Sequence, residues 1–521
     1  MLLAFSITSI ILAAIIAVVM RLRGVRLAYI WAFLFFTVIV IWLLLVFLDP
    51  VRWQSLRIPG FFSTGTVSID IVFTLNEQNR IAGIGLFSML LAYLATETTG
   101  PKGNRSFYRW IEVLIHFSIS WIILLSDHSW TLLIGWTCII IVSLINTFLH
   151  KHLNERRFIP LYLLKITGVM ALGYVVSNTY QINPVNLFER QMPNIGLWII
   201  IAVFLQSEVF LSRNSIITQK YDHKHQIIMH FFLFCVIFFT LTQISVLSVS
   251  PFLSIAIRIV SIICATIFAI RWYLGKNEYE HFNDLIRTLA LISTYLYFSE
   301  NQNGFLFFLL MILPFSWLFL YTERDNKINI VVIVMIFFMS GFPFSLLYTS
   351  IEELILARRV VYLIFLMVPI SFILAGFQKF SFQDRGNFTE IERLNQGVYT
   401  IGLLFPLIGC MIVLLTQRPQ IVADHFLYGG AQILLFLIIL VIGKQKNDLL
   451  SNNISLVKKT IQNSPSIRTI HKNYNQLVIF VENGLQFVAM IFEEKGGILW
   501  SIVFLSLLLS IITSEVGGFI K

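Results

Sequence analysis

Charge is scarce in this sequence. Asp, Glu, Lys and Arg make up only 12% of its 521 residues while 57% are hydrophobic, and a water-soluble domain of that length could not cover its surface with so little charge. Cysteine is scarcer still. Cys138, Cys235, Cys264 and Cys410 all fall inside apolar runs, with no Cys-x-x-Cys and no histidine at metal-ligand spacing. That pattern argues against a disulfide framework and against a metal centre, and the four read as small core residues. Glycine-rich phosphate cradles, His-Glu-x-x-His and Gly-x-Ser-x-Gly are all absent, so neither a cofactor nor a catalytic nucleophile is expected. The formal net charge of +10 is scattered over short loops without a basic, aromatic-studded patch, which argues against nucleic acid as a partner.

Apolar runs are what the chain has in abundance. They recur at 2–20, 28–48, 75–96, 109–125, 129–149, 159–177, 194–212, 228–247, 252–270, 285–299, 304–321, 328–349, 357–377, 397–416, 425–443 and 498–514. At ~1.5 Å per residue, about twenty residues of helix cross ~30 Å of hydrocarbon. The expected fold is therefore an all-α polytopic membrane protein of about 14–16 transmembrane helices. The first run has no small-residue cleavage site before Arg21, Arg23 and Arg26 and reads as a retained span. Loops after odd-numbered spans carry most of the basic residues, for example Lys102, Arg105 and Arg109, or Arg213, Lys220 and Lys224. The positive-inside rule then makes those loops cytoplasmic or matrix-facing and puts the N-terminus on the outer side.

Three segments depart from the pattern. Residues 51–74, with Pro59-Gly60, Gly65 and alternating Val67-Ser68-Ile69-Asp70-Ile71, predict a hairpin on the outer face of a 1–443 helix bundle. Residues 444–497 are Asn-, Ser- and Lys-rich with Leu477, Phe480 and Leu485 at helical spacing, which predicts an amphipathic segment on the inner surface. Residues 498–521 would form the final span. Within the twelfth span, Ser340-Gly341-Phe342-Pro343 predicts a broken helix, the kind of interruption that lines ion sites in transporters but also kinks purely structural helices.

Ionisable groups inside spans cost several kcal/mol unless paired or hydrated, and so mark sites of interest. They are Glu112 and His116 in the fourth span, Lys165 in the sixth, Glu208 in the seventh, His230 at the start of the eighth and Arg258 in the ninth, with Glu352 and Glu353 after the twelfth. Acidic and basic groups alternating between helices suit a proton relay, because each group's proton affinity depends on its neighbour's charge. The competing reading is that Glu112, His230 and the long Lys165 side chain snorkel to water.

Several short stretches occur in an order that carries a resemblance. They are Thr66-Val67-Ser68-Ile69 leading to Leu75; Leu124-Leu125-Ser126-Asp127-His128 through Ile134-Gly135-Trp136-Thr137; Phe204-Leu205-Gln206-Ser207; Gln226-Ile227-Ile228-Met229-His230; Asp284-Leu285-Ile286-Arg287-Thr288-Leu289-Ala290; and Gly341-Phe342-Pro343. In this order the chain resembles the antiporter-like membrane subunits of respiratory complex I, Mrp-type cation/proton antiporters and membrane-bound hydrogenases. The resemblance implies two inverted five-helix repeats, each with one broken helix. It also implies a place in a proton- or cation-translocating complex related to NADH-quinone oxidoreductase. Expected partners are other membrane subunits, protons or Na+, and the lipid bilayer of a bacterial plasma (inner) membrane or an energy-transducing organelle.

The departures from that family are at its working positions. Its essential glutamate falls on Thr137, its seventh-helix lysine on Gln206 and its twelfth-helix lysine approximately on Ile351. None of these side chains titrates near pH 7. Either the path has been rebuilt from Lys165, Glu208, His230 and Glu352, or it has been lost; three substitutions at three positions favour loss and a partly structural subunit. Two alternatives remain. One is the proton-coupling membrane partner of an inorganic-carbon uptake complex. The other is a polytopic glycan polymerase or ligase, against which the lack of a large outer loop counts.

Overall fold

The computed structural model describes residues 2–48, 55–64, 67–97, 104–127, 129–149, 155–180, 195–206, 223–239, 250–279, 281–299, 304–321, 329–357, 359–383, 393–417 and 426–441. Their contacts form one compact unit built from residues 1–149 and 164–446; a second unit combines 150–163 with 447–521. The expected amphipathic segment at 444–497, the final span at 498–521 and Glu208 lie outside the described residues.

The protein is an all-α polytopic membrane protein. In chain order the helices are α1 (Leu2–Leu22), α2 (Leu27–Phe47), α3 (Glu77–Thr96), α4 (Asn104–Leu124), α5 (Ser129–Leu149), α6 (Glu155–Tyr180), α7 (Ile195–Gln206) and α8 (His223–Phe239). There follow α9 (Pro251–Leu274), α10 (Phe282–Phe298), α11 (Gly304–Leu320), α12 (Asn329–Met339), α13 (Leu346–Leu356), α14 (Val360–Ser381) and α15 (Arg393–Gln417), with α16 over Phe426–Val441. Among the described residues, seven helices are long and apolar enough to cross a membrane. Their lipid-compatible surface is direct: Phe36, Val40 and Phe47 of α2, Ile259, Ile263 and Ile267 of α9, and Leu434, Leu437 and Ile438 of α16 are all exposed. Apolar side chains at such positions face hydrocarbon at no hydrophobic cost.

Helix α3 is the axis of the unit, buried over nearly its whole length and packed by α2, α4, α8, α11 and α15. Small residues permit that crowding. A Cβ on Gly83 would lie 2.6 Å from the Trp121 ring, one on Gly402 would lie 2.7 Å from Ala95, and one on Gly409 would lie 2.7 Å from Ser88 Oγ. Helix ends are closed by cations: Arg80 donates to Leu45 O and Val46 O at the end of α2, and Lys379 donates to Tyr273 O and Gly275 O at the end of α9. Both satisfy carbonyls that a helix terminus leaves without partners.

The expected hairpin is present. Strands β1 (Leu56–Thr64) and β2 (Val67–Phe73) pair antiparallel from Leu56 opposite Phe73 to Thr64 opposite Val67, with an irregularity between Ile58 and Phe62. Thr74 N donates to Leu125 O, and Asp127 N to Val72 O, so the hairpin is fastened to the end of α4.

Two boundaries differ from expectation. The twelfth span is two helices reaching Leu356, so Ile351 and Glu352 sit inside α13 and not beyond the span. Pro343 has no N–H to give, Phe344 adopts φ 66°, and Ser345 restarts the helix by accepting from Tyr348 N at 3.1 Å. Helix α8 begins at His223, which places His230 at mid-helix and brings His225 into it. The polar run His223-Lys224-His225-Gln226 masked that start, because hydropathy alone cannot distinguish a polar helical turn from a loop.

Candidate functional site

Sequence spacing on α4 builds the site. Arg109, Glu112 and His116 are separated by three and four residues, which puts them on one stripe of a helix over ~10 Å of rise. That stripe faces α3 and α8. At its lower end, the one opposite the hairpin, Arg109 Nη1 pairs at 3.1 Å with Glu97 Oε1, the residue that closes α3; both side chains are buried. Glu112 Oε2 pairs at 2.8 Å with His225 Nε2 of α8, with side-chain exposures of only 12% and 5%. The other ring nitrogen of His225 stands 3.1 Å from the hydroxyl of Tyr93, fully buried on α3.

This arrangement gives His225 a partner on each nitrogen. When Nε2–H donates to the Glu112 carboxylate, Nδ1 is an acceptor for the Tyr93 O–H; when both nitrogens are protonated, Tyr93 and Glu112 both accept. A proton arriving on one side can thus leave from the other. His116 Nδ1 donates to the carbonyl of Glu112 at 2.9 Å, which leaves its Nε2 as the acceptor. Lys165 of α6, 6% exposed, lies within electrostatic range of both His116 and His230. Glu97, Arg109, Tyr93, His225, Glu112, His116, Lys165 and His230 therefore form one buried polar ladder contributed by α3, α4, α6 and α8.

Four of the residues singled out from sequence, Glu112, His116, Lys165 and His230, come together here. Tyr93, Glu97, Arg109 and His225 were missed. The three-and-four spacing on α4 was the available signal for Arg109; nothing local pairs His225 with Glu112, which precedes it by 113 residues. Arg258 belongs elsewhere: it donates to Tyr362 Oη at 2.6 Å and lies 5.2 Å from the ring centroid, beside Tyr295, whose hydroxyl donates to Tyr362 O. Glu352 is half-buried on α13.

The substituted positions show how the ladder relates to the expected path. Thr137 is exposed, its hydroxyl turned back to Leu133 O at 2.8 Å. Ile351 is fully buried. Gln206 closes the described part of α7 with 1% exposure, and neither atom of its amide has a protein partner. Gly168 of α6 is pressed against this end of α7: a Cβ there would lie 3.1 Å from Ala202 O and 3.3 Å from Gln206 N. Lys165 precedes Gly168 by three residues, one helical turn. Lys165 therefore lies one turn along α6 from the place where that helix meets Gln206.

No described sequence family and no curated protein matches the chain. The fold does match solved structures. A chain of the Mrp complex from Dietzia sp. is similar over 99% of this chain and 63% of its own length, at 11% identity and a TM-score of 0.68. A chain of the membrane-bound sulfane sulfur reductase, an archaeal respiratory membrane complex, is similar over 99% and 100%, at 10% identity and a TM-score of 0.53. A chain of respiratory complex I from Thermus thermophilus is similar over 83% and 99%, at 10% identity and a TM-score of 0.60. This protein thus spans less than two thirds of the Mrp chain, and at such identities the likeness is one of fold.

Proposed function

We propose that this antiporter-fold chain is a membrane subunit of a proton- or cation-translocating complex, and that it carries a rebuilt half-path through α3, α4, α6 and α8. The observation behind this reading is the buried Glu112–His225 pair, flanked by Tyr93 and His116 and extended by Lys165 and His230. Burying an ion pair and a lysine inside a membrane bundle is costly and adds little stability compared with apolar packing, so function is the better account of their retention. Glu112 on α4 and Lys165 on α6 supply the acid and base that Thr137 on α5 and Gln206 on α7 cannot. In the second half, Ile351 stands where no titration is possible, and there the subunit is structural.

The proposed ion is a proton, or Na+ exchanged against it. The proposed setting is a bacterial plasma or organelle membrane with the N-terminus outside. Tagged protein purified in mild detergent should carry at least one further membrane subunit, and the reconstituted complex should move protons across vesicles when a cation gradient or its natural electron donor is supplied. A stable lone subunit, or a complete complex with no proton movement, would overturn the proposal.

A further inference from the structure

A second buried polar group lies at the α12–α13 break, apart from the ladder. Gln432 of α16 is completely buried, and neither its carbonyl oxygen nor its amide nitrogen has a protein hydrogen-bond partner. Its oxygen is turned onto the break: a Cβ on Gly341 would lie 2.4 Å from Gln432 Oε1 and 2.5 Å from the Tyr428 ring. Tyr428, four residues earlier and so on the same face of α16, is 6% exposed, and its hydroxyl also lacks a protein partner. Between them in sequence, Gly429 admits the break itself, with Phe342 Cα 2.9 Å and Gly341 O 3.0 Å from where its Cβ would be. The break satisfies its other groups internally: Ser340 N and Oγ both donate to Phe337 O, Ser345 N donates to Phe342 O, and Ser345 Oγ donates to Ser340 O.

An amide in hydrocarbon with no partner is among the most costly groups a membrane helix can carry. Gln432 and Tyr428 together offer three donor hydrogens, two on the amide nitrogen and one on the hydroxyl, and several acceptor lone pairs beside buried Gly341. That inventory suits a water molecule, which needs two to four polar partners of mixed sense. It suits an alkali cation less well, since no carboxylate belongs to the set and a cation would leave the amide N–H groups and the hydroxyl proton without acceptors.

We infer that Gln432, Tyr428 and the Gly341 carbonyl form a water-binding site that fastens α16 to the broken helix. Tyr428 also lies within electrostatic range of Tyr295, which donates to Tyr362, the partner of Arg258. Hydration at the break gives the second half of the bundle a neutral polar crossing where Ile351 supplies no titratable group. This inference concerns binding alone and stands independently of transport.

Hydroxyl-radical footprinting of the purified complex, with radicals generated from water in place, tests it. Tyr428, 6% exposed, should be oxidised several-fold faster than Tyr273, which is 7% exposed but donates to Ile439 O. Gln432→Leu should bring the Tyr428 rate down to that of Tyr273 and lower Tm, because the hydroxyl and carbonyl lose their shared water. Equal rates for the two tyrosines in the wild-type complex would overturn the inference. So would a rise in Tm on Gln432→Leu, the signature of relieving a dry, unpartnered amide. A Tm that climbs with NaCl but not with choline chloride, and loses that response on Gln432→Leu, would also overturn it in favour of a cation site.

Discussion

Glu112 and His225 meet across α4 and α8 with 2.8 Å between carboxylate oxygen and ring nitrogen, and His225 reaches Tyr93 from its other nitrogen. On the proposed path, a proton moving between Tyr93 and His116 would use this pair. Glu112→Gln keeps a hydrogen-bond acceptor for His225 but removes the titrating group, and should lower proton flux at least tenfold while the complex still assembles. The expected stability cost is about 1–3 kcal/mol, that of weakening one buried charge-assisted bond. Flux in vesicles and thermal unfolding of the same preparation separate the two effects; unchanged flux would remove Glu112 from the path.

Lys165 and Gln206 permit an exchange experiment. Lys165→Ala should abolish flux, because the proposed relay loses the amine that lies within electrostatic range of both His116 and His230. Adding Gln206→Lys to that variant returns a cation one turn away and should recover part of the flux. Gln206→Lys alone should be harmful, since two ammonium groups within a turn in a low-dielectric interior disfavour each other's charge. If Lys165→Ala leaves flux intact, or lowers only the yield of assembled complex, Lys165 is structural.

Most of the fold was legible because the bilayer imposes one rule on composition: each crossing needs a long apolar run. The hairpin was legible from its period-two alternation, and the break from Gly341 and Pro343. Helix α13 was harder to read because Glu352 and Glu353 look like a loop after a span, although the break leaves eleven more residues to form a helix. The ladder was half legible. Glu112, His116, Lys165 and His230 stand out as charges in apolar runs, but Tyr93 resembles any core aromatic, and His225 looked like part of a polar loop. Their roles depend on which helices are neighbours, and no local pattern encodes that.

The contact between the break and α16 is sterically exacting at Gly341. Gly341→Ala would force a methyl group to within 2.4 Å of Gln432 Oε1 and 2.5 Å of Tyr428 Cε1. The neighbours are wedged by Gly429 against Phe342 and cannot retreat freely, so a loss of about 1–3 kcal/mol is expected, as for other overpacked interiors. Gly397→Ala on α15 is the control. A Cβ there meets nothing within 4 Å, and the change should be neutral or stabilise by up to ~1 kcal/mol through helix propensity. Equal behaviour of the two variants in thermal unfolding would mean that α16 does not hold the break as described.

Orientation is the remaining test, and it bears on which side feeds the ladder. The basic residues Lys102, Arg105 and Arg109 flank the end of α4 that carries the Glu97–Arg109 pair, while the hairpin is fastened to its other end. By the positive-inside rule, the expected orientation has the Glu97–Arg109 end on the cytoplasmic or matrix side and the hairpin outside. In a cysteine-free background, Gly103→Cys should react with an impermeant maleimide only after the membrane is opened from within, and Phe62→Cys should react in intact cells. The reverse pattern would invert the protein and make Glu97 and Arg109 the exit of the ladder, because proton entry and exit are defined only relative to the membrane.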